Sequence, residues 1–318
     1  MSTETSAIET YRAETRVFEA SREFASRARI RSVEEYERLY RESLEQPDAF
    51  WRRETAELGF RTPWTSLLDW QLPHARWFDG ATLNVSESCL DRQIATGRRE
   101  KVALLWESEP GETRRITYGD LHAQVVAFAA ALRSLGVEKG NRVAIYMGMV
   151  PEVVVAMLAC ARLGAPHTVV FGGFAAESLR DRINDCGAKV VITQDGALRR
   201  GAVVPLKATV DEALSAAPSV EKVVVYRRLG DERAPIAMVE GRDLEWSAIV
   251  EKADPGAGEP EIVPAEHPLF ILYTSGSTGK PKGVLHTSAG YLAGAHVTSK
   301  YVFDLQDDDV YWCTADVG

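Results

Sequence analysis

The stretch Arg142–Phe171, RVAIYMGMVPEVVVAMLACARLGAPHTVVF, holds a short apolar run at each end and a longer one between them. The first run, Arg142–Met147, and the last, Thr168–Phe171, each have the length of a single β-strand. Pro151 suits the first turn of a helix, and Gly164 ends the apolar helical run that follows it. A strand, a helix and a second strand of this kind are typical of a parallel sheet that is buried on both faces.

The same alternation continues on both sides of this unit. Thr117 and the acidic Asp120 form a capping box at the start of a helix, which Gly136 ends. The further predicted elements are strands over Lys101–Trp106, Lys189–Thr193, Val220–Tyr226 and Leu269–Tyr273, helices over Glu177–Cys186 and Asp243–Lys252, and a surface loop over Asp254–Pro260. We therefore expect an α/β fold with a doubly wound, largely parallel sheet.

Length and composition exclude several classes of protein. The chain has 318 residues, of which 45% are hydrophobic and 26% charged, unlike disordered chains, collagens or disulfide-stabilised miniproteins. Its formal net charge of −9 provides no basic surface for nucleic acid or for an anionic membrane. The most apolar segments, Val153–Ala161 and Leu163–Ala176, are shorter than the roughly 18 residues that a membrane helix requires.

The termini and the cysteines indicate the compartment. The segment Met1–Arg12 has no apolar stretch of the kind that a secretory signal contains. The four cysteines are far apart in sequence and form no CxxC pair, which predicts neither a local zinc site nor a disulfide framework. We expect a cytoplasmic protein without metal-ligating residues of its own.

Residues 1–90 differ in character from the rest. Ala7–Asp48 is rich in Glu and Arg, and its apolar residues recur at helical intervals. A weakly periodic aromatic stretch follows, with Trp51, Phe60, Trp64, Trp70, Trp77 and Phe78. Irregular segments this rich in tryptophan normally pack on a larger body. We therefore expect a helical and aromatic-rich segment over 1–90 that packs on a main domain over 91–318.

The most informative loop is Tyr273–Gly283, YTSGSTGKPKG, which follows a predicted buried strand. Glycines let backbone N–H groups converge on an anion, hydroxyls donate further hydrogen bonds and lysines supply positive charge, so this composition favours polyphosphate binding. The loop is not a Walker motif, because only two residues separate its first two glycines and Pro281 follows its first lysine. The alternative, a solvated surface loop, does not explain so many donors between a buried strand and a helix predicted over Ser288–Lys300.

This loop resembles the signature loop of the adenylate-forming ligases, the superfamily of acyl-CoA synthetases, luciferases and peptide-synthetase adenylation domains. The longer run Leu269–Thr287, LFILYTSGSTGKPKGVLHT, narrows the resemblance to the acetyl-CoA synthetases. Further matching segments are Val169–Phe174, Pro205–Lys207, Val310–Gly318, and Tyr36, Tyr40 and Pro47–Trp51 near the amino terminus. Together these motifs cover nearly the whole chain.

The resemblance implies the first part of an adenylate-forming large domain and a two-step ligase reaction. A carboxylate attacks the α-phosphorus of ATP in the presence of Mg²⁺ and releases pyrophosphate, and the thiol of coenzyme A then displaces AMP. The implied substrates are acetate, ATP and coenzyme A. Propionate or another short-chain acid is the nearest alternative, and an ATP-binding remnant without catalysis is the alternative from another class.

By position, the resemblance assigns the loop to the β- and γ-phosphates of ATP. The residues so assigned are Thr274, Ser275, Gly276, Ser277, Thr278, Gly279 and Lys280, with Lys282 as a supporting cation. Among them Thr274 and Lys280 are expected to act in catalysis, because the chemistry requires charged phosphates to be neutralised and positioned.

The resemblance assigns a second set of residues to coenzyme A. These are Arg199 and Gly201 for the phosphates of its nucleotide end, and Gly172 and Gly173 for close approach of its chain to the backbone. The glycine pair is alternatively a plain strand-to-helix turn. Ala202 stands where many relatives carry Arg or Lys, and the neighbouring Arg200 either replaces that charge or is an exposed arginine that points elsewhere.

Relatives in this family continue for several hundred residues beyond the segment that matches Val310–Gly318. We therefore expect the chain to be an amino-terminal fragment that is inactive, or nearly so, by itself, with an uncovered sheet edge near its carboxyl end. Tyr311–Thr314 is strand-like in sequence. Activation of a larger acid stays an alternative, and the oligomeric state is left open.

Overall fold

The computed structural model describes residues 18–274 and 281–318. Its helices are α1 (Arg22–Arg27), α2 (Val33–Glu45), α3 (Pro47–Thr55), α4 (Arg92–Ala95), α5 (Tyr118–Ser134), α6 (Pro151–Arg162), α7 (Ala176–Cys186), α8 (Leu206–Leu214), α9 (Trp246–Lys252) and α10 (Ser288–Val297). Its strands are β1 (Ser66–Gln71), β2 (His74–Asp79), β3 (Thr82–Leu83), β4 (Val102–Glu107), β5 (Thr113–Thr117), β6 (Val143–Tyr146), β7 (His167–Val169), β8 (Val190–Gln194), β9 (Ala197–Arg199), β10 (Ala202–Val204), β11 (Lys222–Tyr226), β12 (Asp243–Glu245), β13 (Val263–Pro264), β14 (Pro268–Thr274) and β15 (Lys282–Thr287).

The central sheet has seven strands in the order β12-β11-β8-β6-β7-β14-β15. Every neighbouring pair is parallel except β14 and β15, which run antiparallel. Strand β6 lies between the next two strands of the chain, since Val143 is aligned with His167 of β7 on one side and with Val190 of β8 on the other. The winding of the sheet therefore reverses at β6.

Alternate residues of β6 face two separate cores. Val143 and Ile145 pack in the core that contains residues of α5, α6 and α9. Ala144 and Tyr146 pack in the core that contains residues of α7 and α8. Successive side chains of a strand point to opposite faces, so a strand covered by helices on both faces must be apolar throughout. The predicted doubly wound α/β fold is confirmed.

Local signals in the sequence mark several element ends correctly. The Thr117 hydroxyl accepts a hydrogen bond from the Asp120 amide (3.1 Å), and the Asp120 carboxylate accepts one from the Thr117 amide (3.2 Å), which completes the capping box of α5. Pro151 occupies the first turn of α6. Gly187 follows α7 with φ +61°, the left-handed conformation that glycine adopts readily at a helix end.

One predicted helix begins too early. Asp243–Glu245 is a strand rather than the first turn of a helix, because it pairs with β11 and its Asp243 carboxylate binds the buried Lys207 ammonium at 2.8 Å. The predicted surface loop Asp254–Pro260 is largely exposed and contains one 3₁₀ turn, Pro255–Gly258. It packs so closely on α5 that a Cβ at Gly258 would lie 2.3 Å from the Val126 carbonyl oxygen.

The predicted buried strand β14 is only half-buried, and the segment Tyr311–Thr314 forms no strand. Only Leu269 of β14 is fully buried, because the strand meets its parallel neighbour β7 at one aligned pair and its other neighbour is the edge strand β15. Val284 and Leu285 of β15 are 45% and 53% exposed. The expected uncovered apolar edge near the carboxyl end is therefore present in the described residues.

The aromatic stretch before residue 90 packs on this domain. Phe78 is 1% exposed and is ringed by other aromatic side chains, namely Trp51, Phe60, Trp64 and Trp77. The Asn84 amide group donates hydrogen bonds to the carbonyl oxygens of Ala161, Arg162 and Glu261 at 2.8 to 3.1 Å. These bonds satisfy backbone acceptors that a helix end and a loop leave open.

We predict an acid-dependent loss of stability from His167. Its ring is 5% exposed, its Nδ1 has no hydrogen-bond partner among the described residues, and burial lowers its pKa to about 4. Between about pH 6.5 and pH 4, this histidine is protonated in the unfolded chain, where its pKa is about 6.5, but stays neutral in the folded state. The free energy of unfolding therefore falls as the pH drops through this range.

Urea unfolding at pH 7.5, 6.0 and 5.0 measures this effect. As the pH is lowered, the free energy of unfolding should fall less steeply for His167→Leu than for the unchanged protein. The two slopes should differ by up to about 1.4 kcal/mol per pH unit. The exposed His74→Ala is the control and should keep the pH slope of the unchanged protein. Equal slopes for His167→Leu and the unchanged protein would contradict the prediction.

Candidate functional site

A cavity of about 550 Å³ opens at the carboxyl ends of the parallel strands, beside β6. Its walls include the segments that follow three adjacent strands: Met147–Val150 after β6, Phe171–Gly173 after β7 and Gln194–Arg199 after β8. In open α/β sheets, ligands bind at this edge where the winding reverses. The place of the cavity therefore follows from the strand order.

The Gly172–Gly173 pair lines this cavity and has no room for side chains. A Cβ at Gly172 would lie 3.1 Å from the Met147 carbonyl oxygen, and one at Gly173 would lie 2.5 Å from the Phe171 ring. The Tyr146 hydroxyl donates to the Gly172 and Phe174 carbonyl oxygens at 3.2 and 2.7 Å and holds the turn in place. Here the two glycines allow close approach of backbone to backbone and to ring.

Arg199 lies at the cavity wall, as the last residue of β9. Its guanidinium group stacks over the Phe171 ring, 4.7 Å from the ring centre. No carboxylate within the described ranges forms an ion pair with it, although several arginines nearby are paired. The structure therefore presents an unneutralised cation at the wall of the cavity, held by an aromatic face.

Gly201 lies at the tip of a hairpin that sequence reasoning missed. Strands β9 and β10 pair antiparallel, and the two residues between them, Arg200 and Gly201, have φ of +52° and +76°. Two positive φ angles are the mark of a tight type I′ hairpin turn, which glycine favours. The backbone amides of both turn residues donate to the Glu109 carboxylate, the Arg200 amide at 2.8 Å. Ala202 is the first residue of β10.

The rest of the wall comes from β4, from the segment at Arg228, which no motif singled out, and from part of the family-like run Val310–Gly318. The indole N–H of Trp106 donates to the Met149 carbonyl oxygen at 2.8 Å, which ties β4 to the segment after β6. The Arg228 guanidinium lies 5.2 Å from the Trp106 ring centre and pairs with Glu112. The segment from Trp312 to Asp316 lines the remaining side.

The predicted phosphate loop begins and ends on a β-hairpin. Tyr273 is aligned with Gly283, and Thr274 with Lys282, so the two ends of the loop lie side by side. Ser275, Gly276, Ser277, Thr278, Gly279 and Lys280 lie outside the described residues. The helix predicted over Ser288–Lys300 is confirmed as α10, and the exposed edge strand β15, which the sequence did not predict, lies between the loop and this helix.

The root of this loop is tied to helix α7. The Tyr273 hydroxyl donates to the Asp185 carboxylate at 2.6 Å, and the Arg182 guanidinium lies 5.6 Å from the Tyr273 ring centre. Burial, and then the hydrogen bond to Asp185, raise the pKa of the Tyr273 hydroxyl. The same ring covers Gly283 across the hairpin, where a Cβ would lie 3.1 Å from it. One aromatic side chain therefore holds both ends of the loop.

Other side chains near the loop are packed rather than poised for chemistry. The His286 ring stacks on Phe270 at 4.5 Å and contacts Tyr291 edge-on, so it is packed between aromatic side chains. Within residues 18–274 and 281–318, no three His, Cys, Asp or Glu side chains gather as metal ligands would. In the same ranges, helices long and apolar enough to cross a membrane are absent.

Comparison with known proteins gives concordant matches. The family model described as AMP-binding enzyme matches residues 90–318, and the one described as acetyl-coenzyme A synthetase N-terminus matches residues 36–89. The acetyl-coenzyme A synthetase of Gemmatimonas aurantiaca is 52% identical over 309 residues, and that of Rubrobacter xylanophilus 51% over 308. Each alignment covers 96% of this chain, and 46% and 47% of the respective relative.

A solved structure agrees with these matches. Acetoacetyl-CoA synthetase from Streptomyces lividans superposes with a TM-score of 0.80 at 32% identity, over 90% of this chain and 45% of that one. The chain thus spans about half the length of the relatives that it matches.

We predict that the Tyr273 hydroxyl contributes to stability. Tyr273→Phe removes the hydrogen bond to Asp185 and should lower the free energy of unfolding by about 1 kcal/mol, a value reduced because Asp185 is solvent-exposed. Tyr40→Phe, at a ring that is 56% exposed, is the matched control and should change it by less than about 0.5 kcal/mol. Urea unfolding compares the two, and equal effects would refute the prediction.

Proposed function

We propose that this chain, which belongs to the AMP-binding enzyme family, supplies the ATP loop and the coenzyme A cavity of an acetate–CoA ligase. The observation that carries this proposal is Arg199, which forms no ion pair within the described residues and lies at the wall of the cavity, at the same sheet edge at which β14 ends. The whole protein would convert acetate, ATP and coenzyme A to acetyl-CoA, AMP and pyrophosphate.

The first step is the attack of an acetate oxygen on the α-phosphorus of ATP. The bond to the β-phosphate oxygen breaks, and pyrophosphate leaves with the electron pair. In our proposal Ser275–Lys280 bind the β- and γ-phosphates, with Thr274 at the root of the loop and Lys282 as a supporting cation. Positive charge and N–H donors there stabilise the leaving pyrophosphate, and Mg²⁺ enters as part of the MgATP substrate.

The second step is the attack of the coenzyme A thiol on the acyl carbon of the adenylate, which releases AMP and one proton. We assign the cavity to coenzyme A, with Gly172 and Gly173 in contact with its chain and Arg199 with a phosphate of its nucleotide end. Guanidinium groups suit phosphate because they donate paired hydrogen bonds. Gly201 contributes through its position in the hairpin turn.

Two further assignments belong to this proposal. We divide the chain into an amino-terminal segment over residues 1–90 and the first part of the AMP-binding domain over 91–318. We also assign the protein to the cytoplasm, where Cys89, Cys160, Cys186 and Cys313, all free in the structure, would stay reduced.

Calorimetry with coenzyme A tests the cavity. Arg199→Met should weaken binding by about tenfold, because it removes a charge-assisted contact with phosphate. The control is Arg180→Met, on the outer face of α7, where the guanidinium pairs with Asp181 at 3.1 Å; this variant should bind as the unchanged protein does. Absence of heat with the unchanged chain, or equal affinity for both variants, would overturn the assignment.

Calorimetry with MgATP tests the loop separately. Lys280→Ala should weaken binding by about tenfold or more, since one phosphate loses its cation. Lys139→Ala changes the charge equally at an exposed turn near Glu261 and serves as the control. An affinity for MgATP that Lys280→Ala leaves intact would remove the loop from the proposed site.

A further inference from the structure

The β9–β10 hairpin that carries Arg199 is short, and its base packs on the core through Ala197 and Val204. Each strand has three residues, and Val203 in the second strand is 38% exposed. An isolated two-stranded hairpin of this size is marginally stable in water. The position of Arg199 at the cavity wall therefore depends on what holds the hairpin to the body of the domain.

Glu109 provides that attachment. One of its carboxylate oxygens accepts the Arg200 amide at 2.8 Å and the other accepts the Gly201 amide, so both oxygens are used on the tip of the turn. Sequence reasoning missed this contact because Glu109 lies 91 residues away in the chain.

The turn that bears Glu109 is itself well fixed. It joins β4 and β5, which pair antiparallel along their length. The Ser108 amide donates to the Glu112 carbonyl oxygen at 2.7 Å, and the Glu112 amide donates back to the Ser108 hydroxyl at 2.9 Å. The Glu112 carboxylate in turn pairs with Arg228 on the cavity wall. Glu109 thus connects the longer β4–β5 hairpin to the shorter β9–β10 hairpin.

We propose that Glu109 is a positioning residue for the coenzyme A cavity, which pins the Arg200–Gly201 turn so that Arg199 stays over Phe171 and faces the ligand phosphate. This inference rests on the proposed function of the cavity. Glu109 does not touch the ligand. It acts through two backbone hydrogen bonds that hold the arginine-bearing strand in place.

Positioning and simple electrostatics predict opposite results. Coenzyme A is an anion, so removal of a carboxylate beside its site should strengthen binding if charge alone matters. If Glu109 is a positioning residue, removal of its oxygens should weaken coenzyme A binding despite the loss of the repelling charge. Gln removes the charge and retains one acceptor oxygen for one of the two amides, while its nitrogen cannot accept from the other, so it should keep part of the positioning effect without the repulsion.

Calorimetry with coenzyme A supplies the first test. We expect Glu109→Ala to raise the dissociation constant about fivefold and Glu109→Gln to stay within about twofold of the unchanged protein. The control is Glu221→Ala, which removes a carboxylate at the opposite edge of the sheet, where it lies 3.9 Å from the Lys189 ammonium. Equal or tighter binding by Glu109→Ala would overturn the inference.

Limited trypsin digestion supplies a test that needs no ligand. The hairpin tip contains the Arg199 and Arg200 cleavage sites, and mass spectrometry identifies fragments that end there. We expect Glu109→Ala to be cut at these sites about fivefold faster, because cleavage follows local opening. Glu109→Gln, which keeps one of the two acceptors, should be cut at an intermediate rate. Equal cleavage rates for Glu109→Ala and the unchanged protein would refute the positioning role of Glu109.

The two tests separate failure of the inference from failure of the proposed function. If the unchanged protein gives no heat with coenzyme A but Glu109→Ala is still cut faster by trypsin, the assignment of the cavity to coenzyme A fails. The attachment of the hairpin by Glu109 is then still supported. If the unchanged protein binds coenzyme A, and Glu109→Ala changes neither the affinity for coenzyme A nor the rate of tryptic cleavage, the positioning role of Glu109 is refuted. The assignment of the cavity to coenzyme A is then still supported.

Discussion

The parallel alignment of β6 with β7 on one side and β8 on the other is the constraint on which the candidate site depends. Parallel strands bring their carboxyl ends to one edge, and the reversal of winding at β6 separates the connections that leave that edge. The segments after these strands line the cavity, and β14 brings the root of the loop to the same edge. Residues from distant parts of the chain therefore meet at this edge.

Much of this framework could be predicted because its signals are local. The capping box of α5, Pro151 at the start of α6 and Gly187 at the end of α7 each work through hydrogen bonds or dihedral angles within one turn of chain. Strand β6 was predictable for the same reason, since burial on both faces requires a continuous apolar run. Elements whose identity depends on a distant partner were the ones missed. Strand β12 needs its pairing with β11, and β15 is an exposed edge whose sequence lacks a continuous apolar run.

The residues of the candidate site show the same difference between local signals and distant partners. Gly172, Gly173 and Arg199 were found from sequence because they form short motifs, and the structure brings all three to one cavity. Glu109 and Trp106 were not found, although they hold two walls of that cavity together. Their partners lie tens of residues away, and neither side chain belongs to a pattern. These cavity-lining residues were therefore easier to infer from sequence than the residues that hold the walls together.

Helix α7 connects the two halves of the proposed site. It begins just after the Gly172–Gly173 turn, and its buried Arg182 stacks over Phe174 of that turn at 4.7 Å and over Tyr273 at 5.6 Å. Within the described residues this guanidinium forms no ion pair with a carboxylate, and burial lowers its pKa, so the two rings and the Ser178 carbonyl oxygen compensate for lost hydration. A charge held in this way tolerates little displacement of either ring. The cavity turn and the loop root therefore both contact one side chain, and the proposed function would require such a fixed arrangement of the two.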